Sequence, residues 1–182
     1  AKSVTSPGEA HKPGDEKEDR ISLPPVQVRQ YRQLAARANN LAMDRPDIQY
    51  AAKEVCRSMA NPTRGDWKSL KRLGRYLISH PRLVTKFLWQ GGQQWIRGYS
   101  DSDWAGCRKT GRSTSGGAIM IGGHFIKGWS RTQNHVTLSS AEAELYAMVK
   151  CTAELLGIRS MLRDFGRDSS GVIYADSSAA LA

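Results

Sequence analysis

Ser139-Ser-Ala-Glu-Ala-Glu-Leu-Tyr-Ala147 opens a helix whose rotational phase follows from residue spacing alone. At 100° per residue, Glu144 falls on the same stripe as Ala147, Met148, Cys151, Leu155, Ile158 and Leu162, so a carboxylate heads the apolar face. An unpaired buried charge is costly, and a metal ion is one of the few partners that keeps such a Glu ionised. The competing reading is a half-exposed first-turn Glu favoured by the helix dipole. Glu142 is rotated about 200° from Glu144 and points to solvent. Ser139-Ser-Ala-Glu142 is also a capping-box pattern, in which the Glu bonds back to the N-cap backbone.

Two further acids stand where acids are locally unexpected. Asp101, in Tyr99-Ser-Asp-Ser-Asp-Trp-Ala-Gly106, follows the alternating run Trp95-Ile-Arg-Gly-Tyr99, which reads as a strand. Asp176, in Val172-Ile-Tyr-Ala-Asp-Ser-Ser178, closes a second short strand over 172–175. Both lie at strand ends. Asp103, two residues beyond Asp101, is a weaker candidate for an outer layer of the same site.

At 182 residues the chain suits one domain, or one domain with an accessory module. Cys56, Cys107 and Cys151 form no C-x-x-C pair, which supports neither a zinc site nor a disulfide framework and favours a reducing compartment. No apolar run reaches the length of a membrane span and no signal-peptide pattern opens the chain, so the expectation is an intracellular protein without a membrane partner. The net charge of +10 is unevenly spread: residues 21–90 hold thirteen basic against four acidic side chains, or +9, and residues 91–182 hold ten against eight, or +2. A concentrated basic surface points to a polyanion partner.

Residues 1–25 carry Pro, Gly, Ser and mixed charge with few large apolar side chains, and read as a disordered linker. Residues 26–82 read as a basic helical segment. Its first helix, over 26–41, puts Tyr31, Leu34, Ala38 and Leu41 on one face; the second starts at Asp44-Arg-Pro-Asp47 and ends before Asn61-Pro62. The third, over 64–79, is capped by Thr63-Arg-Gly-Asp66 and gathers Trp67, Leu70, Leu73, Gly74 and Leu77 on one arc. Lys68, Lys71, Arg72 and Arg75 gather on the adjacent arc, a row suited to phosphates. From residue 83 the period shifts towards 2, with candidate strands over 84–89, 95–101, 115–121 and 125–130 and turns at Gly91-Gly92 and Gly122-Gly123. A helix over 141–165, the strand over 172–175 and the beginning of another helix follow. Strands, a long helix and a returning strand make an α+β or mixed α/β domain. His124 and His135 lack zinc-ligand spacing and read as structural or surface residues. Trp89, Trp95, Trp104 and Trp129 read as core or rim aromatics.

Tyr99-Ser-Asp-Ser-Asp-Trp-Ala-Gly106, Arg112-Ser-Thr-Ser-Gly116, Trp129-Ser130 with Gln133, Leu138-Ser-Ser-Ala-Glu-Ala-Glu-Leu-Tyr146 and Tyr174-Ala-Asp-Ser-Ser178 occur in this order. Together they closely resemble the RNase H region of copia-type retrotransposon Pol polyproteins. Upstream, Arg45-Pro-Asp-Ile48, Met59-Ala-Asn-Pro62 and Trp67-Lys-Ser-Leu-Lys-Arg-Leu-Gly-Arg-Tyr-Leu77 are similar to the segment joining reverse transcriptase to RNase H in those polyproteins. The resemblance covers residues 31–182. It implies an RNase H-like fold over 83–182, an antiparallel three-strand meander plus a parallel strand with a long helix, preceded by a small helical module. It also implies a fourth acid late in the fold, which the sequence does not reach, so the domain is expected to be carboxy-terminally truncated.

By the same resemblance Asp101, Glu144 and Asp176 are the catalytic and metal-holding acids. The implied cofactor is a pair of Mg²⁺ or Mn²⁺ ions and the implied partners are an RNA–DNA hybrid and the reverse transcriptase region of the same polyprotein. The expected place of action is the cytoplasm, virus-like particles or the nucleus. Hard divalent ions demand oxygen ligands, in keeping with three carboxylates. A transposase or integrase would be expected to order its acids Asp, Asp, Glu; here the order is Asp, Glu, Asp, at separations of 43 (144 − 101) and 32 (176 − 144) residues. The remaining alternative is an inactive truncated or decayed fragment that keeps only nucleic-acid binding.

Overall fold

A computed structural model describes residues 2–8, 19–92, 95–107 and 110–176, and divides the chain into two units, Ala1–Thr85 and Lys86–Ala182. The first unit is helical. Pro24 in extended geometry and Pro25 at the first helical position start α1 (Pro25–Leu41), where a missing N–H is harmless. A 3-10 turn (Pro46–Ile48) leads into α2 (Gln49–Arg57), and α3 (Arg64–Ser79) follows. The expected cap of α3 is present in both halves: Asp66 N donates to Thr63 Oγ1 at 3.3 Å and Thr63 N donates to Asp66 Oδ2 at 2.8 Å.

The core face of α1 is rotated from the expected one. Tyr31, Ala35, Ala38 and Ala42 are buried, whereas Leu34 is 42% and Leu41 40% exposed. Small alanines let α2 approach, and Tyr31 sends its hydroxyl across to the Val55 carbonyl at 2.7 Å. Burial, with Asp66 nearby, pushes the Tyr31 phenol far above its ordinary range. At the other end of the unit, Arg45 is 7% exposed and forks onto Asp47 at 2.9 and 2.7 Å; Tyr76 donates to the same carboxylate at 2.9 Å. The Arg45 hydrogen bond holds the Asp47 carboxyl below its usual range.

Residues 1 and 9–18 of the expected linker lie outside the described residues. Residues 2–8 and 19–24 touch the helices: Val4 packs against the core, Leu23 is 6% exposed, and Ser22 bridges Thr63. Leu23 N donates to Pro62 O at 3.0 Å and Arg64 N to Ile21 O at 2.9 Å. Composition passes over such contacts because single side chains and backbone groups make them, not a periodic pattern. Asp19 pairs with Lys68 at 3.1 Å, and Arg72 Nε donates to the Ser6 carbonyl at 3.2 Å, so two cations of the basic arc face this segment.

The second unit is a four-stranded mixed sheet in the order β3-β2-β1-β4 with one long helix. It contains β1 (Trp95–Asp103), β2 (Thr114–Ile121), β3 (His124–Thr132), α4 (Ser140–Asp164) and β4 (Ser170–Ala175). The first three strands form the antiparallel meander and β4 runs parallel to β1. The strand expected over 84–89 does not form. That stretch is irregular, Val84 is 72%, Leu88 73% and Trp89 96% exposed, and no backbone ladder reaches it among the described residues. Alternation of apolar residues requires a partner strand to become structure. Instead Gln90 donates to Ile121 O at 2.9 Å and Phe87 sits edge-on to His124, both at the β2–β3 turn.

Ile96, Ile119, Trp129, Cys151 and Leu155 make the core between α4 and the sheet; of the four Trp expected in the core or at its rim, only Trp129 is buried. Close approach is enforced by two glycines. A Cβ on Gly98 would stand 2.7 Å from Cys151 Sγ, and one on Gly171 would collide with Leu155. Burial raises the Cys151 thiol to about 11, which leaves it an inert packing group. Glu154 on the helix reaches Lys127 of β3 at 2.5 Å and Lys150 at 2.6 Å, and these hydrogen bonds lower its carboxyl. The helix expected after residue 176 lies outside the described residues.

Candidate metal centre

The parallel pairing of β1 with β4 ends at Ser100 opposite Ala175, and Asp101 and Asp176 are the next residues along the chain. Their side-by-side placement follows from the register. Glu144 comes from the opposite direction, in the second turn of α4. The start of that helix is fixed by Glu142 N donating to Ser139 Oγ at 3.1 Å. The Glu142 carboxylate accepts from Leu138 N at 2.7 Å, one residue before the N-cap expected from the capping-box pattern. This clasp turns Glu142 away and leaves Glu144 facing the sheet.

One carboxylate oxygen from each of Asp101, Glu144 and Asp176 lies within 4.8 Å of the others. Asp101 and Asp176 are exposed; Glu144 is 7% exposed. Glu144 Oε1 accepts from Ser102 N at 3.0 Å and from Ser102 Oγ at 2.7 Å, while the buried Oε2 has no hydrogen-bond partner among the described residues. An orphaned buried carboxylate oxygen beside two other carboxylates is unfavourable by itself and suited to a hard cation. The donor set, three carboxylates without His or Cys, fits Mg²⁺ or Mn²⁺ better than zinc.

Two residues at this centre escape a reading of the sequence. Ser102 is in phase with Ile96, Gly98 and Ser100 on the helix-facing side of β1, so a small polar residue at the level of the helix Glu was the available signal. Gln133, whose only sequence signal is its place in the resemblance, is buried; its Nε2 donates to the Ala143 carbonyl and to Ser115 Oγ, both at 2.9 Å. It ties the end of β3 to the residue before Glu144. Asp103 packs against Gly106 at the turn that follows β1, where Ala105 has a φ of 52°. His135 lies beside the Tyr146 ring at 5.8 Å. The arc of Lys68, Lys71, Arg72 and Arg75 belongs to the helical unit, with Lys71 over the Trp67 ring at 5.9 Å.

Among curated proteins, the chain is 37% identical over 149 residues to the retrovirus-related Pol polyprotein from transposon RE2 of Arabidopsis thaliana, and 36% identical over 149 residues to that from transposon RE1. Each alignment takes in 81% of this chain and 10% of the polyprotein, so the chain spans about a tenth of the length of these relatives. It is also 35% identical over 114 residues to the secreted RxLR effector protein 161 of Plasmopara viticola, covering 63% of this chain and 80% of that protein. No family model matches, and no solved structure matches. Homologues at 31–37% identity over most of this chain are thus copia-type, retrovirus-related Pol polyproteins of transposons.

Proposed function

We propose that this chain is the RNase H region of its polyprotein, with an RNase H-like fold, and that it hydrolyses the RNA strand of RNA–DNA hybrids formed during reverse transcription. The observation that carries this reading is the convergence of Asp101, Glu144 and Asp176, with Glu144 buried and its Oε2 unpartnered. Two divalent ions held there would activate a water and stabilise the leaving 3′ oxygen. The chain's own part is to hold its carboxylates in place: Asp101 and Asp176 by the register of β1 and β4, Glu144 by Ser102 and the clasp at the start of α4. No side chain of the cluster is a nucleophile. Binding would rest on phosphates and 2′-hydroxyls, giving low sequence preference, with Lys68, Lys71, Arg72 and Arg75 as candidate phosphate contacts.

The test is cleavage of an end-labelled RNA–DNA hybrid with Mg²⁺, Mn²⁺ or chelator. Metal-dependent cutting of the RNA strand that Asp101→Asn abolishes is the expected result. Hybrid binding that persists in chelator, without cleavage when metal is added, would identify a binding fragment instead.

A further inference from the structure

We infer that Ser102 is a positioning residue for the cation site, an inference that rests on the metal-centre reading of Asp101, Glu144 and Asp176. Its placement follows from how β1 and α4 run past each other. Gly98 lies under Cys151, and from that point the two elements diverge in sequence but stay together in space. Ser102 is four residues along the strand, roughly 13 Å, and Glu144 is about two turns back along the helix, roughly 11 Å. The close approach at Gly98 therefore brings Ser102 level with Glu144.

At that level Ser102 gives both of its donors to one oxygen, N at 3.0 Å and Oγ at 2.7 Å. One donor would leave the carboxylate free to swing about its terminal torsion, which is broad for Glu. Two donors on Oε1 fix the carboxylate plane, so that Oε2 stands in a single position, buried and unpartnered beside Asp101 and Asp176. Gln133 holds the backbone of Ala143 and the side chain of Ser115, the residue paired with Ser102 across the β1–β2 ladder. Backbone and side chain of the Glu144 region are thus anchored separately, and only the hydroxyl of Ser102 can be removed without touching the backbone that carries the ligating group.

The experiment is Mn²⁺ titration of the full chain, followed by loss of the free-ion paramagnetic resonance signal at a temperature where every variant is folded. It compares wild type, Ser102→Ala and Ser102→Thr. Outer hydrogen-bond partners of metal ligands typically change affinity tenfold or more, so Ser102→Ala is expected to weaken Mn²⁺ binding about tenfold, while Ser102→Thr, which keeps the hydroxyl, stays within about threefold of wild type. Wild-type affinity in Ser102→Ala overturns the inference whatever happens to its melting temperature. A Thr variant as weak as Ala overturns the role of the hydroxyl. Wild type that binds no Mn²⁺ overturns the metal-centre reading, and this inference with it.

Discussion

Glu144→Gln separates a ligand from a structural acid, because the two roles predict opposite signs in the absence of metal. Three carboxylates with oxygens within 4.8 Å repel one another. At this distance a pair of unit charges interacts by about 3.5 kcal/mol at an effective dielectric of 20 and by about 0.9 kcal/mol in bulk water. Asp101 and Asp176 are exposed, so the lower figure governs, and the two pairs made by Glu144 amount to about 2 kcal/mol. Against this stands the weaker bond from Ser102 once the acceptor is neutral, a loss of about 1 kcal/mol.

The amide nitrogen of Gln, placed where Oε2 now lacks a partner, gains carboxylate acceptors and adds to the favourable side. The net expectation is about 1 kcal/mol of stabilisation in EDTA, or a rise of about 4–8 °C in the melting temperature of a unit this size. Differential scanning calorimetry with and without Mg²⁺ reads the inversion. Glu144→Gln melts above wild type in EDTA, and Mg²⁺ raises wild type but not the variant. A variant that melts below wild type in EDTA by several degrees would mean that the charge of Glu144 supports the fold, and its role as a ligand would be refuted.

Glu142→Gln keeps an acceptor for Leu138 N and should leave both melting temperature and Mn²⁺ affinity unchanged, while Glu142→Ala lowers stability by about 1 kcal/mol without altering affinity. In the helical unit, Asp47→Ala strands Arg45, which is 8% exposed at its side chain, and is expected to destabilise by about 3 kcal/mol in urea unfolding. Because Asp47 is depressed in the folded unit, its contribution is complete above the unfolded carboxyl value of about 3.9 and is lost as pH falls through the lower folded value. Acid titration of the unfolding midpoint should therefore flatten below pH about 4 in Asp47→Asn relative to wild type. For nucleic acid, neutralising Lys71 and Arg75 should reduce the slope of log K against log salt by about 0.7–0.9 per lost phosphate contact. An unchanged slope would leave that arc a solvated face.

The phase of α4 is legible in the sequence because one stripe has to satisfy packing over its whole length: Ala147, Cys151 and Leu155 are buried where the stripe places them, and Glu144 with them. The strands of the meander are legible from alternation bounded by glycine turns. Residues 84–89 carry the same alternation and form no strand, since pairing depends on what lies beside a segment and not on the segment. In α1, the choice between Leu34 and Ala35 turns on interhelical distance, which hydrophobicity alone does not encode. Ser102 and Gln133 are hidden for another reason. Their importance comes from hydrogen bonds across 42 (144 − 102) and 18 (133 − 115) residues of chain, which no local pattern records.

The side-by-side placement of Asp101 and Asp176 has a kinetic side. The meander pairs strands that follow one another in the chain, but β4 reaches β1 only after α4 has crossed the sheet, so the two acids meet across a chain separation of 75 (176 − 101) residues. Contacts of such range form late, after the loop entropy between them has been overcome. Among the described residues β4, like β3, is an edge strand with one neighbour, and at six residues against nine it is the shorter of the two, which favours its release by local opening. The centre is thus expected to assemble late and to open early, and a cation shared by β1, α4 and β4 would act as a clasp on a contact of long chain separation.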